Sequence, residues 1–243
     1  MKRKIKWSLL AAISAVTTLV WVASANANLT VTGTFDGPLP GGEPKVVELY
    51  VNADIADLSL FGVGGANNGG GTDGVELVLS GAASAGDFIY IVEDDDQGAL
   101  GVGFNAYFGF TPSLLFDGSF ANGGAASING DDAIEVFSDP SGLFAGAETV
   151  IDVFGDINVD GSGQPWDYLD GWAYRNNGTG PDGATFAIGN WSFSGINVND
   201  GETSNASAPT PFPIGSYQVA EPSTVAMIVL SIMGFGILNR RLR

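Results

Sequence analysis

The chain has 243 residues, nine basic against 27 acidic, and carries neither cysteine nor histidine. Without those two residue types it can build no disulfide, no thiol or Ser-His-Asp catalytic site, and none of the commonest zinc centres. Four of the bases precede residue 7 and three follow residue 239, so residues 28–219 hold only Lys45 and Arg175 against 26 acids. That field repels nucleic-acid phosphates, so no nucleic-acid partner is expected, and it favours solubility and divalent cations.

The N-terminus reads as a secretory signal. Lys2, Arg3, Lys4 and Lys6 form a basic start, residues 7–23 an apolar run, and Ala25-Asn26-Ala27 a small-x-small cleavage site. Signal peptidase is expected to act around Ala25, Ala27 and Asn28, making 1–27 a signal helix that is removed. At the other end, residues 225–238 are uninterrupted by charge and are followed by Arg240, Arg241 and Arg243. This run is short for a span, which takes about 20 residues. By the positive-inside rule both basic clusters stay in the cytoplasm, and the acidic middle is exported.

Between these ends, short apolar runs recur between Gly, Asn and Asp clusters. Strands are expected at 29–35, 45–51, 58–63, 75–79, 88–92, 133–137, 150–154, 172–175 and 191–193, with 214–219 closing the sheet. In the first, Leu29, Val31, Gly33 and Phe35 alternate against Thr30, Thr32 and Thr34. In the second, Val47, Leu49 and Val51 face one way and Glu48 and Tyr50 the other. Residues 64–71 read as a flexible run, Glu93 to Asp96 as an exposed acidic turn, and 199–213 as an extended loop. No helical period lasts three turns. The fold class is therefore all-β, an immunoglobulin-like antiparallel β sandwich with long Gly/Asp-rich loops, flanked by the signal helix and a C-terminal membrane helix. The divisions are 1–27, 28–218 and 219–243.

One loop has metal-ligand spacing. Asp156, Asn158 and Asp160 occupy alternate positions, Gly161 follows, and Asp167 stands where a calcium loop has its last ligand. Calcium is the cofactor this pattern admits, although Pro165 interrupts it and no helices flank it. Phe154, Trp172 and Trp191 read as core, and Arg175 as the partner of a nearby carboxylate such as Asp170.

Two resemblances add to this. Ala220-Glu221-Pro222-Ser223-Thr224, the apolar stretch and the terminal arginines resemble a PEP-CTERM sorting signal, with Ala220 in place of the family's first proline. The resemblance implies processing by exosortase, transient membrane attachment, and a final place at the cell surface or in extracellular polysaccharide. Pro222 holds Glu221 extended, which presents the cleavage region as accessible strand. The segments 46–52, 56–61, 85–91, 130–136 and 151–155, with Trp166, residues 170–175 and Trp191, resemble a lamin-tail domain. That resemblance implies a sandwich used for binding or attachment.

The leading expectation is a non-enzymatic exported surface or matrix protein. A secreted glycan- or protein-binding module is the second reading, which a glycan array would single out. A carboxylate-dependent hydrolase is the third, since paired acids remain chemically open. No catalytic residue is assigned.

Overall fold

A computed structural model describes residues 28–219. The expected signal helix, the expected cleavage residues Ala25 and Ala27, the expected sorting motif Ala220 to Thr224 and the expected C-terminal membrane helix lie outside the described residues. Among the described residues, no helix is long and apolar enough to cross a membrane.

Among the described residues ten strands form two sheets. They are β1 (Leu29–Phe35), β2 (Lys45–Val51), β3 (Phe61–Ala66), β4 (Leu77–Val78), β5 (Phe88–Glu93), β6 (Leu115–Asp117), β7 (Ala133–Ser138), β8 (Thr149–Phe154), β9 (Trp172–Arg175) and β10 (Trp191–Phe193). The larger sheet runs β10-β9-β1-β2-β5-β6 and the smaller β4-β3-β7-β8. The sequence reading of a β-rich, sandwich-like domain holds. One pair departs from the antiparallel expectation: β6, absent from the sequence reading, lies parallel to β5.

The intersheet core gathers Leu29, Val31, Val47, Leu49, Val51, Ile89 and Ile91 from the large sheet against Val63, Ile134, Val136 and Phe154 from the small one. Val47, Leu49 and Val51 thus share a face, as their alternation predicts. The opposite face of the large sheet is covered as well. Phe35, Val46, Tyr90, Val92 and Tyr174 form a second cluster there with Phe104 and Tyr107 of the helix α1 (Val102–Phe108) and with Phe212 and Tyr217. Burial on both faces explains why β5 is apolar from Phe88 to Val92, up to its last residue Glu93.

A β-bulge decides which face Phe35 joins. Val31 pairs with Leu49 but Gly33 pairs with Glu48, so β1 carries one extra residue. The alternation shifts there, and Phe35 packs outward at 5.3 Å from Tyr107 and 5.4 Å from Phe212, not into the intersheet core with Leu29 and Val31. Residues 214–219 form no strand. They belong to an arm that lies over this outer face, and the bare backbone of Gly33 admits it: a Cβ there would stand 2.6 Å from the Phe212 ring.

Two loop expectations also change. Gly64 to Ala66 belong to β3, where a Cβ on Gly64 would meet the Gly74 carbonyl at 2.0 Å. The glycines there give close approach to residues 72–75, not flexibility. In the acidic turn, Asp94 is buried, and its two oxygens accept the amides of Gly101 and Phe104 at 3.1 and 3.0 Å. Asp94 therefore holds the start of α1, leaving Asp95 and Asp96 exposed.

Candidate functional site

Both bases of the folded region are buried and paired, Arg175 with Asp152 and Asp182 and Lys45 with Asp36. Arg175 ends β9 where β1 and β9 part. Its Nε donates to the Val31 carbonyl at 2.7 Å, Nη2 to Asp152 of β8 at 2.8 Å, and Nη1 to Asp182 at 2.7 Å. The guanidinium also stands 4.6 Å from the centre of the Trp191 ring. Asp152 answers by accepting the amides of Val31 and Asp182, each at 2.9 Å. Burial pushes Asp152 up to about 6, while Arg175 and these amides pull it back.

The network ties the edge strand of one sheet to the middle of the other. The expected partner Asp170 does not take part. It sits at φ 46°, in a turn whose amide donates to Asp36. An aspartate five positions before Arg175 looks close in sequence, yet the strand carries Arg175 toward β8.

The second network holds the arm. Glu48 is fully buried on the outer face of β2. Its Oε1 accepts the hydroxyls of Thr32 at 2.7 Å and Tyr174 at 2.9 Å, and its Oε2 accepts the Gly215 amide at 2.6 Å. The Tyr174 oxygen in turn accepts the amides of Ser216 and Tyr217 at 3.0 and 2.9 Å. Further along, Tyr217 donates to the Thr179 carbonyl at 2.7 Å, and Gln218 exchanges bonds with Asn177 and Gly178. One carboxylate in the sheet thereby positions three consecutive arm amides.

This arrangement has a pH signature. Burial pushes Glu48 up to about 7, against the pull of its donors from Thr32, Gly215, Tyr174 and Tyr90. Asp36 and Asp152, also buried, rise to about 6. All three folded values exceed the ordinary 3.8–4.5, so between those limits the native state binds more protons than the unfolded chain. Their contribution is fully present below about pH 4 and is lost as pH rises through 6 to 7. The domain should melt higher at about pH 5 than at about pH 8, and Glu48→Gln should flatten that slope. A melting point that climbs across the window would contradict the assignment.

The acids among the expected calcium ligands all accept backbone amides. Asp156 accepts the Asn158 amide, Asp160 the Ser162 amide, and Asp167 the amides of Gly163 and Leu169. Each carboxylate closes its own turn. Among the described residues no three acids stand close enough together to hold a metal ion. Melting curves in EDTA and in millimolar calcium should therefore coincide. An upward shift with calcium would mean that the loop gives up these amides for a cation.

Asp156 and Asn158 instead line a polar cavity of about 290 Å³ on the outer face of β7 and β8, with Glu135, Val153, Thr185 and Phe186. A smaller hollow of about 200 Å³ lies beside the arm, between Trp172, Asn176, Asn177, Ser192, Pro213 and Ser216. Asn28, the expected first residue after processing, is tied to the sheet through its carbonyl, which accepts the Asn52 amide at 2.8 Å.

Sequence reasoning missed Glu48 and Asp152 as organising residues. Their signal was there: each is a single acid within an apolar strand, at Val47-Glu48-Leu49 and Ile151-Asp152-Val153. Fold and networks define a two-sheet, β-rich, sandwich-like domain with a clamped C-terminal arm. Compared with protein-family models, with curated proteins and with solved structures, the chain shows no match.

Proposed function

We propose that this is an exported, non-enzymatic surface or matrix protein whose immunoglobulin-like, lamin-tail-like domain is delivered by its signal peptide. A PEP-CTERM-like tail holds it briefly at the membrane, and an exosortase processes it. The observation that carries this reading is the arm. Residues 215–218 are pinned by Glu48, Tyr174, Thr179 and Asn177, and the Ala220-Glu221-Pro222 motif begins two residues further on. The clamp sets where the held part of the domain ends, two residues before the motif that a processing enzyme would read. The acidic surface suits solubility after release. The mature protein recovered from cells with exosortase should be lighter, by the residues beyond the motif, than that from cells without it. Equal masses would refute the processing.

A second reading, glycan binding, draws on the hollow beside the arm. Trp172 supplies an aromatic wall, and Asn176, Asn177 and Ser192 supply neutral donors and acceptors, which together suit a sugar hydroxyl pattern.

A further inference from the structure

Lys45 is 7 % exposed and lies at the start of β2. Its Nζ stands 2.9 Å from Asp36 Oδ1, donates to the Ile128 carbonyl, and lies 3.4 Å from the side-chain oxygen of Asn129. Asp36 is 2 % exposed. A shielded amine thus sits between a buried carboxylate and a carboxamide. We propose that Lys45 and Asn129 join through an intramolecular isopeptide bond, with Asp36 carrying the proton.

The step balances without cofactor or oxidant. The Lys45 ammonium gives a proton to Asp36, and the free Nζ attacks Cγ of Asn129. A C–N bond forms, a second proton passes from Nζ to the amide nitrogen, and the Cγ–Nδ2 bond breaks. Ammonia leaves and takes up the proton held by Asp36. A lysine cation and an asparagine amide become one neutral amide and ammonium.

Placement favours the reaction. Lys45 is held by its pairing with Glu93 on β5. The backbone amide of Asn129 donates to Asp132 at 2.9 Å, and Asp36 Oδ2 accepts the backbone amide of Asp170 at 3.2 Å. Holding amine and amide in contact makes the exchange effectively unimolecular. Burial raises Asp36 to about 6, so it can hold a proton while the amine attacks. Asn129 lies at the surface, which gives ammonia an exit.

The bond would close a loop between residues 84 positions apart. It would fasten β2 of the larger sheet to the segment leading into β7 of the smaller. In a chain without cysteine it would constrain the unfolded state as a disulfide does.

The test is peptide mapping of the full chain by mass spectrometry. The expected product is a branched peptide joining the Lys45 and Asn129 segments, one ammonia lighter than their sum. It should vanish in Asn129→Ala and in Lys45→Arg, the latter keeping the charge beside Asp36 so that the fold survives. Recovery of both segments as separate linear peptides from the wild-type chain, with Asn129 intact or merely deamidated, overturns the proposal. A branch that persists in Asp36→Asn overturns the part given to Asp36.

Discussion

Replacing Arg175 by methionine should lower stability by roughly 3–5 kcal/mol, the cost of leaving one member of a buried pair alone. For a domain of this size that is a drop in melting temperature on the order of 10 °C. The reason lies in what remains. Asp152 would keep its charge or take up a proton at full burial, Asp182 would lose its 2.7 Å partner, and the Val31 carbonyl would lose a donor. Because much of the penalty is the orphaned carboxylate, the double variant Arg175→Met with Asp152→Asn, whose side-chain oxygen can still accept a backbone amide from Val31 or Asp182, should recover part of the loss. Thermal melting of the two variants checks this. A double variant no better than the single would show that the guanidinium's packing on Trp191, not its charge, carries the effect.

Phe212→Ala should be of similar size, about 3–5 kcal/mol for a buried aromatic. The Phe212 ring centre lies 5.4 Å from those of both Phe35, tilted, and Tyr174, edge-on, and the residue is 2 % exposed. The loss should be local: the intersheet core shares no residue with this cluster, so the arm should detach while the sandwich stays folded. Limited proteolysis should then cut within residues 199–219 much faster than in the parent chain. Gly33→Val tests the same contact from the sheet side, since a Cβ at 2.6 Å excludes the ring. Unchanged cleavage in both variants would mean that the hydrogen bonds from Glu48 and Tyr174 hold the arm without its aromatic anchor.

Most strands were legible because apolar alternation and Gly/Asp punctuation are local signals: β1, β2, β9 and β10 have the limits read from sequence, and β5, β7 and β8 differ by a residue at one or both ends. The strand read at 58–63 begins three residues later, as β3 after a 3-10 turn at Leu58–Leu60, and the one read at 75–79 keeps only Leu77–Val78; three further features were not legible. The bulge at Thr32–Gly33 moves Phe35 to the other face, although the residues of β1 alternate without interruption. β6 is three residues long, too short for a periodic signal, and exists because β5 offers it an edge. The stretch after Pro213 carries strand-like residues, yet side-chain groups of the sheet take its amides in place of a neighbouring strand.

Composition alone determined that no thiol, histidine or disulfide chemistry is open to this chain, and that two bases must serve a field of acids. Where those bases go was decided by tertiary structure. Local spacing pointed Arg175 at Asp170, but pairing partners are chosen by which strands meet. β8 brings Asp152 to Arg175 across the two sheets, and β2 brings Lys45 to Asp36 and Asn129. Likewise the acids of the 156–167 loop have suitable spacing for one cation, but each finds a backbone amide of its own turn first. A one-dimensional pattern records which groups are available. Only the folded chain sets the distances, and ion pairing and hydrogen bonding depend on distance within a few ångströms.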